Sequence, residues 1–134
     1  MQKSLLLTAL VAVQFACSFL SGCIVAAAGA TGVVASEVLF EDNTYIGHID
    51  VDSGLAWAET KTTLGKRSAQ PISVDEARRT VVADIEGTTV TASVETYDLN
   101  VSVLRVSGKR YGFPDNEVAK MMFDRVIEAI HRGR

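Results

Sequence analysis

The stretch Arg79-Thr80-Val81-Val82-Ala83-Asp84-Ile85-Glu86-Gly87-Thr88-Thr89-Val90-Thr91-Ala92-Ser93-Val94-Glu95-Thr96-Tyr97 decides the fold of this chain. Val81, Ala83 and Ile85 alternate with more polar neighbours, and Val90, Ala92 and Val94 repeat that pattern after Glu86-Gly87. A period of two on both sides of a turn signal predicts a β-hairpin with arms Arg79 to Ile85 and Thr88 to Tyr97, the glycine permitting positive φ in the turn.

Downstream, Asp98 and Asn100 supply a second turn into a predicted strand from Val101 to Val106, which completes an antiparallel meander. Gly108-Lys109-Arg110-Tyr111-Gly112 reads as a basic turn, and Pro114 with Asp115 opens a last helix to about His131. Its acids come first and its bases last, which suits the helix dipole. Val118, Met122, Val126, Ala129 and Ile130 form one apolar face, widened by Phe123 and Ile127, that must lie on the sheet.

Upstream, Tyr45 to Asp52 alternates and predicts a strand that places His48, Asp50 and Asp52 on one face. Asp52 or Ser53 can cap a helix from about Gly54 to Leu64, ended by Gly65, with Trp57 and Leu64 on its apolar side. Lys66 to Pro71 reads as a loop. Ser73 and Glu76 have capping-box spacing, but the β-branched Thr80, Val81 and Val82 soon after favour a strand. The expected domain, residues 37–134, is therefore α+β: a two-layer sandwich of a four-stranded antiparallel sheet with two helices on one face, in the order β-α-β-β-β-α.

Before the domain the chain has a different character. Lys3 precedes an apolar run from Leu5 to Leu20, and Leu20-Ser21-Gly22-Cys23 closes it. These parts are similar at each position to a bacterial lipoprotein export signal. The resemblance implies cleavage between Gly22 and Cys23 and thioether lipidation of Cys23 with palmitate-type acyl chains, because an apolar residue, two small residues and a thiol are what the processing chemistry needs. Residues 1–22 are then signal peptide, and residues 23–36 an acylated Ala/Gly-rich tether. Two or three acyl chains, at about 0.8 kcal/mol per buried methylene, hold a protein durably where one does not.

Cys17 is a poor rival, since the polar Gln14 stands three residues before it. Once it leaves with the signal, Cys23 is the one remaining thiol and no intramolecular disulfide can form. Ile24 follows the acylated cysteine where the inner-membrane retention signal of enteric bacteria has Asp, so the expected location is the outer membrane, in a Gram-negative host, facing the periplasm. The alternative is an uncleaved span from Leu5 to Ala35, long enough to cross a bilayer. Small residues at four-residue spacing (Ala26 and Ala30, Ala28 and Gly32), with Gly29, could also pack helix on helix, which makes a homo-oligomer through this tract a further expectation.

The whole chain carries a formal charge of −3; with Lys3 removed, its thirteen basic residues become twelve against sixteen acidic ones, giving −4. That balance argues against nucleic acid, whose phosphates need a basic stripe. The mature length suits one small domain and leaves no room for a second.

The assembled pattern resembles a family of small bacterial lipoproteins filed as domain of unknown function 3568. It is carried by Gly22-Cys23 before the Ala/Gly tract, the early strand and helix, Asp84-Ile85-Glu86-Gly87-Thr88, Val101-Ser102-Val103-Leu104-Arg105-Val106, and the helix opening Asp115-Asn116-Glu117. The resemblance implies fold and location; it implies no activity and no catalytic residues.

Two clusters are candidate sites. His48, Asp50 and Asp52 would bring an imidazole and two carboxylates together, a set able to bind a divalent metal or to serve as general base and acid. The alternative is a solvated face, because metal ligands usually come from separate elements with a supporting shell. Lys109 and Arg110, with glycine amides beside them, could contact an anion such as a lipid head group or a glycan phosphate; the alternative is a solvated turn. No serine has the glycine-flanked setting of a nucleophile elbow, and Trp57 and Phe123 read as core. The expected function is non-enzymatic and cofactor-free: a membrane-anchored module that binds or scaffolds an envelope protein or glycan. The alternative is a small metal-assisted or acid-base hydrolase using His48, Asp50 and Asp52.

Overall fold

The structure is a computed structural model and describes residues 35–133, with side chains from residue 37 onward. The lipobox, Cys23 and the Ala/Gly tract lie outside the described residues. Among the described residues nine elements follow one another: β1 (Ala35–Glu41), β2 (Thr44–Ile49), α1 (Ser53–Arg67), β3 (Ser73–Asp75), β4 (Thr80–Ile85), β5 (Thr88–Asp98), β6 (Val101–Arg110), β7 (Phe113–Pro114) and α2 (Asn116–Arg132). Among the described residues no helix is long and apolar enough to cross a membrane.

The α+β class and the two helices hold, but the sheet has seven strands rather than four, in the order β1-β2-β6-β5-β4-β3, with β7 paired to β6 beyond β2. All pairings are antiparallel. The hairpin at Glu86-Gly87 forms as predicted, with Ile85 opposite Thr88 and Val81 opposite Ala92. Both turn residues have positive φ, as do Asp42-Asn43 and Tyr111-Gly112. This is the backbone sign that lets a two-residue turn match the twist of its strands. Turns of that kind join β1 to β2, β4 to β5 and β6 to β7.

The added strands have local causes. β1 carries Val38-Leu39-Phe40, an apolar run without alternation, because Val38 and Phe40 face the helix side of the sheet without being covered while Leu39 faces the other side; all three are exposed. β3 and β7 are too short to show a period. β6 runs on past Val106 to Arg110, so the predicted basic turn is mostly strand and only Tyr111-Gly112 turns.

Conversely, β2 ends at Ile49 rather than Asp52. The Val51 N–H donates back to the Ile49 carbonyl at 2.8 Å, and the Asp52 carboxylate accepts from the N–H groups of Gly54 and Leu55, so the chain leaves the sheet to cap α1. α1 in turn passes through Gly65 to Arg67. The Ser68 N–H still finds the Leu64 carbonyl at 2.9 Å, and Ile72 covers Gly65.

One face of the sheet builds the core. Ile49, Val81, Ala83, Ile85, Val90, Ala92, Val94, Leu104 and Val106 meet Ala56, Trp57 and Leu64 of α1 and Val118, Met122, Phe123, Val126 and Ile130 of α2. Both helices pack on this face and against each other. Trp57 also donates its indole N–H to Glu76 at 2.7 Å, and Lys61 pairs with the same carboxylate at 2.6 Å, which ties the turn after β3 to α1.

At Gly108 the start of α2 lies close against the sheet. A Cβ there would lie 2.8 Å from the Asp115 carbonyl oxygen and 3.1 Å from the Thr88 methyl. The Gly108 carbonyl accepts the Asp115 N–H at 2.8 Å, so the helix start is fixed to backbone that cannot retreat. Gly108→Ala is expected to lower stability by about 1–3 kcal/mol, through overpacking. Urea unfolding should show a lower midpoint at unchanged slope.

Candidate functional site

The residues singled out in the sequence are not brought together as expected. His48 lies on the outer face of the sheet, opposite Glu37 and Val103, with its ring edge-on to Tyr97 at 5.2 Å. Asp50 sits in the bend after β2. Asp52 spends its carboxylate on the helix cap. Because the strand stops at Ile49, the alternation that would have aligned them is broken. Among the described residues no group of three or more His, Cys, Asp or Glu is placed to hold a metal ion.

Lys109 and Arg110 also part company, since successive strand residues point to opposite faces. Arg110 turns inward. Its guanidinium donates to the Thr88 hydroxyl at 3.1 Å and to the Glu86 carbonyl at 3.0 Å, and stands 3.3 Å from the Asp115 carboxylate. Asp115 in turn accepts from the Thr88 hydroxyl at 2.6 Å and from the Val118 N–H at 3.2 Å. These bonds join β5, β6 and α2 in one node, in which Arg110 is a structural cation on the opposite face from Lys109.

Asp115 titrates below the ordinary value of 3.8, chiefly because the Thr88 hydroxyl bonds its charged form, then through the Val118 N–H and the nearby Arg110, against some desolvation. Glu76 is shifted the same way by its hydrogen bonds from Lys61 and Trp57.

Lys109 keeps to the outer face. It lies opposite Thr89 on one side and Pro114 on the other, and the next row of that face holds Thr91 and Ser107 opposite each other. Lys109, Thr89, Thr91 and Ser107 line a shallow depression with Gly87, Tyr111 and Gly112, and a second one on the far side of Lys109 is lined by Asp42, Asn43, Thr44 and Pro114 among others. Tyr111 is 93% exposed and Phe113 75%.

A flat strip of three hydroxyls, an ammonium group and an exposed phenol ring therefore occupies the end of the sheet that carries the three two-residue turns. Hydroxyls both donate and accept, and an aromatic ring adds an apolar face with a polar tip. That combination suits a ligand with many hydroxyls and alternating apolar patches. Tyr111 and the threonine row were missed in the sequence, although Tyr111 between Arg110 and Gly112, at a turn, was the available signal. No known protein family matches the chain, and no curated protein is found to be similar to it.

For a carboxylate whose folded pKa is depressed, the stabilisation is complete above its unfolded value and disappears as pH falls through the folded one. The protein should therefore lose stability as pH drops below about 3.8. Asp115→Asn should start less stable at neutral pH and show a shallower loss. Urea midpoints measured between neutral and strongly acid pH check both points.

Proposed function

We propose that this protein is an acyl-anchored envelope lipoprotein whose domain is a non-enzymatic binding module for an envelope glycan. The anchor is the Leu20-Ser21-Gly22-Cys23 lipobox, with Cys23 as the lipidated residue and the outer membrane as destination.

The observation that carries the binding role is the uncovered outer face of the sheet, with Lys109, Tyr111, Ser107, Thr89 and Thr91 gathered at one end of it. Both helices are committed to the other face, so nothing in the described chain covers this strip. Hydroxyl-rich binding surfaces of this kind hold sugars by many weak hydrogen bonds and an aromatic contact, and Lys109 adds attraction for acidic or phosphorylated sugars.

Two experiments test the parts separately. Intact mass of the membrane-extracted protein should show loss of residues 1–22 plus acyl chains, and Cys23→Ala should remain unprocessed; a wild-type mass equal to the unmodified chain would refute the anchor. Co-sedimentation with purified cell-wall glycan should be weakened about tenfold by Tyr111→Ala with Lys109→Ala, a loss of roughly 1.4 kcal/mol, at unchanged thermal stability. Binding that survives both changes would remove the strip from consideration.

A further inference from the structure

The two helices meet in a groove on the side away from the sheet. α1 contributes Glu59, Thr62, Thr63, Lys66 and Arg67, and α2 contributes Arg125, Ala129 and Arg132. Glu59, Thr62, Thr63 and Lys66 follow one another at helical spacing, as do Arg125, Ala129 and Arg132, so each helix turns one stripe into the groove. The small side chains Thr62, Thr63 and Ala129 leave its middle open.

Four cations thus line one groove in a chain whose net charge is −3. Two acids oppose them: Glu59 in the groove itself, and Glu128, which stands 3.5 Å from Arg125. Lys66, Arg67 and Arg132 enter no ion pair among the described residues. Their places in the last turns of α1 and α2 suit the helix dipoles, but the dipole explains neither Arg125, in the middle of α2, nor the convergence of all four on one groove.

We propose that this groove is a binding site for phosphate-bearing anions. Guanidinium groups present paired N–H donors that match phosphate oxygens, Lys66 adds a point charge, and the Thr62 and Thr63 hydroxyls add donors along the floor. The source of the phosphate is the head group of an anionic membrane lipid. That choice rests on the lipid-anchored reading; the anion chemistry does not. With the helix layer laid on the bilayer, the hydroxyl strip on the opposite face of the sheet is turned outward.

Residues Thr31–Arg134 form one compact unit. Every core residue lies within it, so this fragment is expected to fold without the N-terminal segment, and a cooperative thermal unfolding transition checks this first. Lacking Cys23, it reports on the groove whatever the fate of the anchor. Its binding to phosphatidylglycerol vesicles, to neutral phosphatidylcholine vesicles and to inorganic phosphate would be measured by co-sedimentation and by NMR shifts at residues 62–67 and 125–132.

The expected result is binding to the anionic vesicles that Lys66→Glu with Arg125→Glu weakens on the order of tenfold or more. Arg78→Glu with Arg105→Glu, the same change in net charge placed elsewhere, should weaken it little. The milder Lys66→Gln with Arg125→Gln guards against misfolding and should fall between. Groove shifts with inorganic phosphate but no preference for anionic vesicles would keep the phosphate site and overturn the lipid as its source. No binding to either, or equal losses in the groove and control variants, would overturn the proposal.

Discussion

Asp115 holds the two layers of this protein together. Its backbone N–H bonds to the Gly108 carbonyl, its carboxylate takes the Thr88 hydroxyl and the Val118 N–H in the first turn of α2, and Arg110 neutralises it from the neighbouring strand. Its side chain is 17% exposed, so these partners act with reduced competition from water. Fixing the first turn of α2 in this way decides where Val118, Met122, Val126 and Ile130 land on the sheet. α1 then fills the remaining strip over β4 and β5 and reaches β6, and the groove between the helices follows from that placement.

The architecture divides labour between two faces. The inner face is almost wholly aliphatic and is consumed by packing. The outer face is mixed: Ile46 and Val103 are buried by their neighbours, Arg105 and Glu95 pair across strands, and Thr80, Thr89, Thr91, Ser93 and Ser107 share the remainder with His48, Val82, Asp84 and Lys109. Threonine on a strand keeps its β preference while remaining wet, so a row of hydroxyls can face solvent there without a second helix layer. The cations of the helix groove and the hydroxyls of the outer strip thus lie on opposite sides of one thin slab.

Most of this was legible where residues carry a full periodic signal. α2 could be read nearly residue for residue because its apolar stripe repeats without interruption, and the central hairpin because three alternations flank a turn dipeptide. α1 overran its predicted stop because one glycine costs only about 1 kcal/mol in a helix interior, less than the continued backbone bond and the Ile72 contact return. β1 could not be seen, since an edge strand exposed on both faces has no pattern to show. Arg110 looked like a free cation because Thr88 and Glu86 lie more than twenty residues away in sequence. The groove was not read from the sequence, because that the two helix stripes face each other is a fact of tertiary packing alone.

The pairing of β2 with β6 is the long-range closure of the sheet, joining Ile49 to Ser102 and Thr44 to Ser107, whereas the other strand contacts are between near neighbours in sequence. Contacts of that span form late, because the loop between them must be closed first. A chain emerging N-terminus first therefore presents Val38-Leu39-Phe40 long before β6 exists to seat β2. Glu37 and Glu41 bracket that apolar triplet, and like charges at its two ends disfavour stacking of several nascent copies through it. The same two acids stay exposed on this edge strand once the sheet is closed, so their like charge also weighs against pairing of its open edge with another copy.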